Sequence, residues 1–149
     1  ENNGIYHMAF GNGGSDVLNT GEINYKTTNT GTIRDDSAGL YNKTYEKLIG
    51  QSASTDSKNN VSIVTSSSSY TDLQITCTLD FGEPSTQTTS DTATSDSSTD
   101  FIFDELGIYA YNSGGISQEY LLTHVIFHPV QKSLNRVIEI VYTIRVQLQ

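Results

Sequence analysis

The segment Asn135-Arg-Val-Ile-Glu-Ile-Val-Tyr-Thr-Ile-Arg-Val-Gln-Leu-Gln149 decides the fold class, because its side chains alternate in polarity with a period of two. Such alternation is typical of a β-strand with one buried face. The apolar face would carry Ile138, Ile140, Tyr142, Ile144, Val146 and Leu148. The preceding run, Tyr120–Val130, also has strand character. The chain is therefore predicted to close on a strand, a turn and a second strand.

Shorter runs of the same character predict the other strands. They are Ile5–Phe10, Val61–Val64, Asp72–Phe81 and Phe101–Ala110, and the second and third of these would form a hairpin. The segment Gly11-Asn-Gly-Gly-Ser15 would end the first strand in a sharp turn, since glycine tolerates positive φ. The expected fold is mainly β, a β-sandwich-like sheet of about six or seven strands.

One α-helix is predicted near residues 35–49. Asp35 and Asp36 would place negative charge at its beginning, and Gly50 stands where a helix often ends. The apolar stripe would consist of Leu40, Tyr41, Tyr45, Leu48 and Ile49, which recur at helical spacing.

The length of 149 residues fits one domain, so residues 1–149 are expected to form a single unit. Within it, residues 84–100 are rich in Ser and Thr and hold almost nothing to bury. Burial there cannot offset the entropy lost on ordering, so a flexible arm or loop is predicted.

Charge and hydropathy exclude several classes of function. The net charge of −9 and the pI near 4.5 argue against binding to nucleic acid or to an anionic membrane surface. No apolar run approaches the roughly 20 residues of a membrane helix. We therefore expect neither nucleic acid nor membrane among the partners.

The single cysteine, Cys77, allows no internal disulfide and cannot form a thiolate metal cluster on its own. It shares one face of its predicted strand with Leu73, Ile75, Leu79 and Phe81. The pattern favours a small buried side chain over a catalytic thiol.

The histidines and acidic residues form no recognisable catalytic pattern. His124 and His128 would lie about 13 Å apart along a strand, too far for one metal ion, although either could approach His7. Asp104 and Glu105 are adjacent, so alternation should send their carboxylates to opposite faces, unlike the facing pair of a glycosidase. We therefore predict no enzyme activity, no catalytic residues, no cofactor and no metal.

Two further motifs are weak. Asp91, Asp96 and Asp100 could ligate calcium, but their spacing fits no EF-hand loop, and acidic Ser/Thr-rich segments are mostly just solvated. Asn42-Lys-Thr44 and Asn60-Val-Ser62 match glycosylation acceptors, which matter only in a eukaryotic secretory setting.

Three segments together carry a family resemblance. Ile5-Tyr-His-Met-Ala-Phe-Gly-Asn-Gly-Gly14 resembles the opening of the tail-collar fibre and baseplate-associated proteins of tailed bacteriophages. Gly39–Ile49 resembles a helix of that family, although the usual Arg is missing near Lys47. The third match is Phe101–Tyr109 followed by Leu121–Val130, and the polar segment at 84–99 is longer than the family minimum.

The resemblance implies a virion structural protein that connects or anchors tail fibres to the baseplate, tail or neck. It implies packing with copies of itself, as a trimer or hexamer, and with other phage proteins. The location would be the tail, baseplate or neck region of the virion, after assembly in the cytoplasm of the host bacterium. The family-signature structural residues would be Gly11, Gly13, Gly14, Tyr45, Glu105, Gly107, Tyr109, His124 and Pro129. The alternative is a secreted β-sandwich carbohydrate-binding module, with Tyr and Asn side chains on its loops holding a sugar.

Overall fold

The computed structural model describes residues 4–29, 39–49, 56–84, 100–112 and 118–147. These residues form nine β-strands and no helix, which confirms the mainly β prediction. The strands are β1 (Gly4–Gly11), β2 (Ser15–Val17), β3 (Ile23–Tyr25), β4 (Lys43–Leu48), β5 (Asn59–Ser66), β6 (Tyr70–Leu79), β7 (Asp100–Asn112), β8 (Gln118–Ser133) and β9 (Ile138–Gln147).

The strands are distributed over three sheets, so the expected sandwich-like sheet of six or seven strands is not what is observed. The four-stranded sheet has the order β4-β1-β7-β8, the three-stranded sheet β5-β6-β9, and β2 pairs with β3. All of these pairings are antiparallel. The predicted closing strands are confirmed, yet β8 and β9 join different sheets. The predicted hairpin of β5 and β6 is also confirmed.

The helix predicted near residues 35–49 is wrong where the structure describes it. Residues 35–38 lie outside the described residues, and Lys43–Leu48 form β4, which pairs with β1 from His7↔Leu48 to Gly11↔Lys43. Long-range pairing with a central strand has overridden a local pattern that also fits helical periodicity. Of the arm predicted at residues 84–100, residues 85–99 likewise lie outside the described part of the chain.

The two central strands of the four-stranded sheet present two different faces. Met8↔Ile108 and Phe10↔Leu106 are cross-strand pairs that point into the apolar core. The alternate residues carry the pairs His7↔Tyr109, Ala9↔Gly107 and Gly11↔Glu105. The first face builds the core, and the second builds a buried polar cluster.

The core combines residues of the four-stranded and the three-stranded sheets. Its buried members are Met8, Phe10, Ile49, Ile75, Cys77, Leu79, Phe101, Phe103, Leu106 and Ile108. An apolar cavity of about 170 Å³ lies among Phe10, Leu79, Phe103, Leu106, Ile138 and neighbouring side chains. Side chains from β1, β6, β7, β8 and β9 therefore meet around one space.

A buried lysine fixes the turn after β6 to the end of β8. The Lys132 ammonium donates to the backbone carbonyls of Asp80 (3.1 Å), Glu83 (2.7 Å) and Ser133 (2.9 Å). Burial lowers the pKa of Lys132, and the nearby Glu83 and Asp80 carboxylates oppose that shift. Three carbonyl acceptors compensate for the water that a buried ammonium loses.

Candidate functional site

Glu105 lies at the centre of the polar face and is fully buried. It sits on β7 opposite Gly11, the last residue of β1, so the chain leaving β1 passes directly over its carboxylate. Lys43 of β4 also pairs with Gly11, which brings the segment before β4 to the same place. Strand pairing alone therefore collects three distant segments around one acid.

Four donors bind this carboxylate. Oε1 accepts from the backbone N–H of Gly13 (3.2 Å) and of Asn42 (2.8 Å). Oε2 accepts from the backbone N–H of Tyr41 (3.0 Å) and lies 2.8 Å from His124 Nε2. We call Gly13, Tyr41, Asn42, Glu105 and His124 the Glu105 cluster. Its hydrogen bonds replace the hydration that a buried carboxylate loses.

The bonding of His124 assigns its tautomer. Nδ1 accepts from the backbone N–H of Asn29 at 2.7 Å, so this nitrogen carries no proton. Nε2 then carries the proton and donates it to Glu105. The imidazole thereby links residue 29 to the cluster, and Tyr41 packs beside its ring at a centroid distance of 5.7 Å.

Asp104 binds the same loop as its neighbour. Its carboxylate accepts from the backbone N–H groups of Gly14 and Ser15, both at 2.9 Å, and from the Ser15 hydroxyl at 2.6 Å. The prediction that the carboxylates of Asp104 and Glu105 point to opposite faces of the strand is wrong. The register against β8 shifts between Phe103 and Glu105, and Phe103 and Leu106 both enter the core although they are three residues apart. Regular alternation fails at this irregularity.

Glycine is required in this loop because of close approach. A Cβ on Gly11 would lie 2.5 Å from the Asn42 carbonyl oxygen and 2.5 Å from Glu105 Oε1. A Cβ on Gly13 would lie 2.8 Å from the Asn42 backbone nitrogen. In the described residues, positive φ occurs at Gly21 and Gly82, so the positive-φ explanation for the segment 11–15 is wrong.

The predicted signature residues fall into two groups. Gly11, Gly13, Gly14, Glu105 and His124 meet at the Glu105 cluster or the adjoining Asp104 bonds. Gly107 and Tyr109 continue the same face: Leu40 and Leu121 pack over Gly107, and the Tyr109 hydroxyl accepts from Leu40 N–H at 3.3 Å. Tyr45 instead packs near Phe10 at the core, and Pro129 is half-buried on β8.

The other candidates from the sequence do not join the site. His128 is exposed, and its Nδ1 lies 3.0 Å from the Tyr25 hydroxyl, whereas His124 contacts Asn29 and Glu105. Cys77 is buried as predicted, and burial raises the pKa of its thiol to about 12, which keeps it inert. Asp91 and Asp96 lie outside the described residues, and of Asp100 only the backbone is described.

The side-chain amides of the two glycosylation motifs are already bonded. Asn42 Nδ2 donates to Asn12 Oδ1, and Asn60 Nδ2 donates to the Asp56 carbonyl at 2.9 Å. These bonds hold neighbouring segments of the chain together.

The sequence did not predict the hydrogen-bond partners of the buried Asp104 and Glu105, nor the group formed by His7, Glu46 and Glu119. It did not identify Ser15 or Asn42 as partners, because backbone amides leave no sequence signal. It also missed that His7 lies close to Glu46 and Glu119, which come from the two outer strands of the same sheet. Only the strand order brings these three residues together.

Chemically, the Glu105 cluster is suited to holding loops in place. The carboxylates of Asp104 and Glu105 are occupied by backbone amides, a hydroxyl and an imidazole, all from within the chain. Comparison of the chain with protein-family models, with curated proteins and with solved structures found no match. In the described residues, we find no helix with the length and apolar character needed to cross a membrane.

Proposed function

We propose that this chain is a structural component of a tailed-phage particle. It would connect or anchor tail fibres to the baseplate, tail or neck through protein–protein packing, and so serve host attachment indirectly. The observation that carries the proposal is that the separate segments with family resemblance converge on Glu105. Its bonds reach Gly13, Asn42 and His124 across sequence separations of 92, 63 and 19 residues.

This convergence gives the resemblance a physical meaning. The Gly-rich turn, the segment before β4 and the His-containing strand would each be preserved because they pack on one buried acid. Such a cluster fixes loop positions without performing a reaction, which suits a scaffold. The carboxylates of Asp104 and Glu105, which bind groups of the chain itself, also support a structural role.

A partly uncovered apolar row on the three-stranded sheet supports assembly with copies of the chain. Ile63, Leu73 and Ile144 are directly paired across β5, β6 and β9, so they share the core-side face. Ile63 is nevertheless 66% exposed, and the other two are only half-buried. Among the described residues, the core-side face of the three-stranded sheet is therefore not fully covered near Ile63. In the proposed assembly, this row would be part of a larger apolar contact between subunits.

Strand edges add a second means of association. In the described part of the chain, β4, β8, β5 and β9 each have a hydrogen-bonded neighbour on one side only. Edge strands offer backbone donors and acceptors to another chain. A trimer or hexamer would match the rotational symmetry of a phage tail, and repeated copies would strengthen a modest interface.

Native mass measured by light scattering over a dilution series tests this proposal. We expect a trimer or hexamer that persists on dilution and that the variant Ile63→Lys dissociates. Val141→Lys is the matched control, since Val141 is 53% exposed on the opposite face of the same sheet. A monomer at every concentration would contradict self-assembly. A monomer whose melting temperature rises with added sugars would favour the carbohydrate-binding alternative.

A further inference from the structure

A second group of polar side chains lies on the same sheet face, away from Glu105. His7 of β1 is 1% exposed, while Glu46 of β4 and Glu119 of β8 have side chains that are 49% and 39% exposed. His7 Nε2 lies 3.2 Å from Glu46 Oε2 and 3.3 Å from Glu119 Oε2. One buried nitrogen therefore faces two carboxylate oxygens that solvent can reach.

The distances from His7 Nε2 to the two carboxylate oxygens match those between neighbouring ligands of a small divalent ion. Zn²⁺ binds imidazole nitrogen and carboxylate oxygen at about 2.0–2.2 Å in tetrahedral geometry, which places neighbouring ligand atoms roughly 3.3 Å apart. Both measured distances agree with that separation, and all three atoms lie within 4.8 Å of one another. The two distances from His7 Nε2 therefore fit an ion placed between the imidazole and the two carboxylates.

The orientation of His7 is held by packing. Its ring stacks on Tyr109 with a centroid distance of 5.5 Å and an interplanar angle of 22°. A fixed ring reduces the entropy lost when the imidazole becomes a ligand. The two carboxylates would supply two negative charges, which balance the charge of a divalent cation.

We propose that His7, Glu46 and Glu119 form a binding site for one Zn²⁺ ion, with water as the remaining ligand. The ion would join both outer strands of the four-stranded sheet to β1 and so stabilise that sheet. This role does not depend on the proposed virion function.

A lysine competes with the ion. Lys43 Nζ lies 2.8 Å from the same Glu46 oxygen that faces His7, and its side chain is 42% exposed. Metal binding would displace this ammonium into solvent. Removing it should therefore tighten metal binding, whereas an unrelated surface change should not.

Calorimetric titration of the purified full chain with ZnCl₂ tests the site. We expect one ion per chain, with the affinity reduced on the order of tenfold or more in Glu119→Gln, a change at a solvent-accessible side chain. Lys43→Met should bind more tightly than the unchanged protein. Glu139→Gln, at an exposed residue of β9, is the matched control and should bind normally.

Cobalt provides a readout of coordination. Bound Co²⁺ should give the intense visible absorption of a tetrahedral site, and Glu119→Gln should abolish it while Glu139→Gln keeps it. Absence of saturable Zn²⁺ binding by the unchanged chain would overturn the proposal. Equal affinities in Glu119→Gln and Glu139→Gln would overturn it as well.

Discussion

Gly11 is the residue that brings the three segments of the site closest together. It pairs with both Glu105 and Lys43, and its missing side chain lets the Asn42 carbonyl and the Glu105 carboxylate approach its backbone. Backbone atoms cannot move aside as a flexible side chain can. The position therefore admits no β-carbon without displacing β1 or the segment before β4.

Gly11→Ala should lower the free energy of unfolding by about 1–3 kcal/mol, because the new Cβ would lie 2.5 Å from the Asn42 carbonyl oxygen. Urea denaturation followed by circular dichroism measures the change. Gly4→Ala is the control on the same strand, since its Cβ would have nothing within 4 Å. Equal stability of the two variants would contradict the close-approach account.

Glu105→Gln should cost about 2–4 kcal/mol, because the amide that replaces one carboxylate oxygen would face N–H donors in a buried site. Thermal and urea unfolding would measure this loss. Glu139→Gln removes a charge at an exposed position and should change stability little. A Glu105→Gln protein as stable as that control would show that the cluster does not hold the loops.

At the scale of elements, β6 and β9 form the longest uninterrupted pairing among the described strands. Ten consecutive residue pairs join them, from Tyr70↔Gln147 to Leu79↔Ile138. One pair is ionic: Arg145 donates from Nε and Nη2 to the two carboxylate oxygens of Asp72 at 2.8 and 2.9 Å. This bidentate contact lowers the pKa of Asp72 below its ordinary 3.8.

The lowered pKa predicts a pH dependence of stability. A carboxyl group that is more acidic when folded stabilises the fold above pH 3.8 and loses that contribution as the pH falls through its folded-state pKa. Asp72→Asn should therefore be less stable than the unchanged chain near neutral pH, with the difference shrinking below about pH 3.8. Urea unfolding across this range measures it. A difference that stays constant with pH would rule out the ionic contribution.

The sequence predicted some elements well for a simple reason. β9 is half-buried on one face, and its apolar residues Ile138 to Ile144 follow that face with period two. β4 misled the same reasoning, because Leu40, Tyr45, Leu48 and Ile49 also fit helical spacing. Only its pairing with β1 selects the strand, and local periodicity does not contain that information.

At the scale of the molecule, the sequence pointed to several residues of the Glu105 cluster but did not predict which groups they contact. The family resemblance singled out Glu105, His124 and the glycines, because a resemblance is recognised from the identity of residues. Their donors are largely backbone groups from distant segments, brought together by the order β4-β1-β7-β8. The irregularity at Asp104, which turns two adjacent acids toward one loop, also leaves no periodic signal.

The two faces of the four-stranded sheet have different roles in the fold. One face packs Met8, Phe10, Leu106 and Ile108 into the core shared with β6. The other face carries the Glu105 cluster, which binds the turns, and the group formed by His7, Glu46 and Glu119. Under the proposed virion role, the exposed Ile63 and the strand edges would be the surfaces for contact with other chains.

The most direct test of the structural role is to measure the copy number of this chain in purified phage particles by quantitative mass spectrometry. The account predicts a fixed number of copies per particle that is a multiple of three, in keeping with the symmetry of a phage tail. Particles that infect normally and contain none of this chain would contradict it.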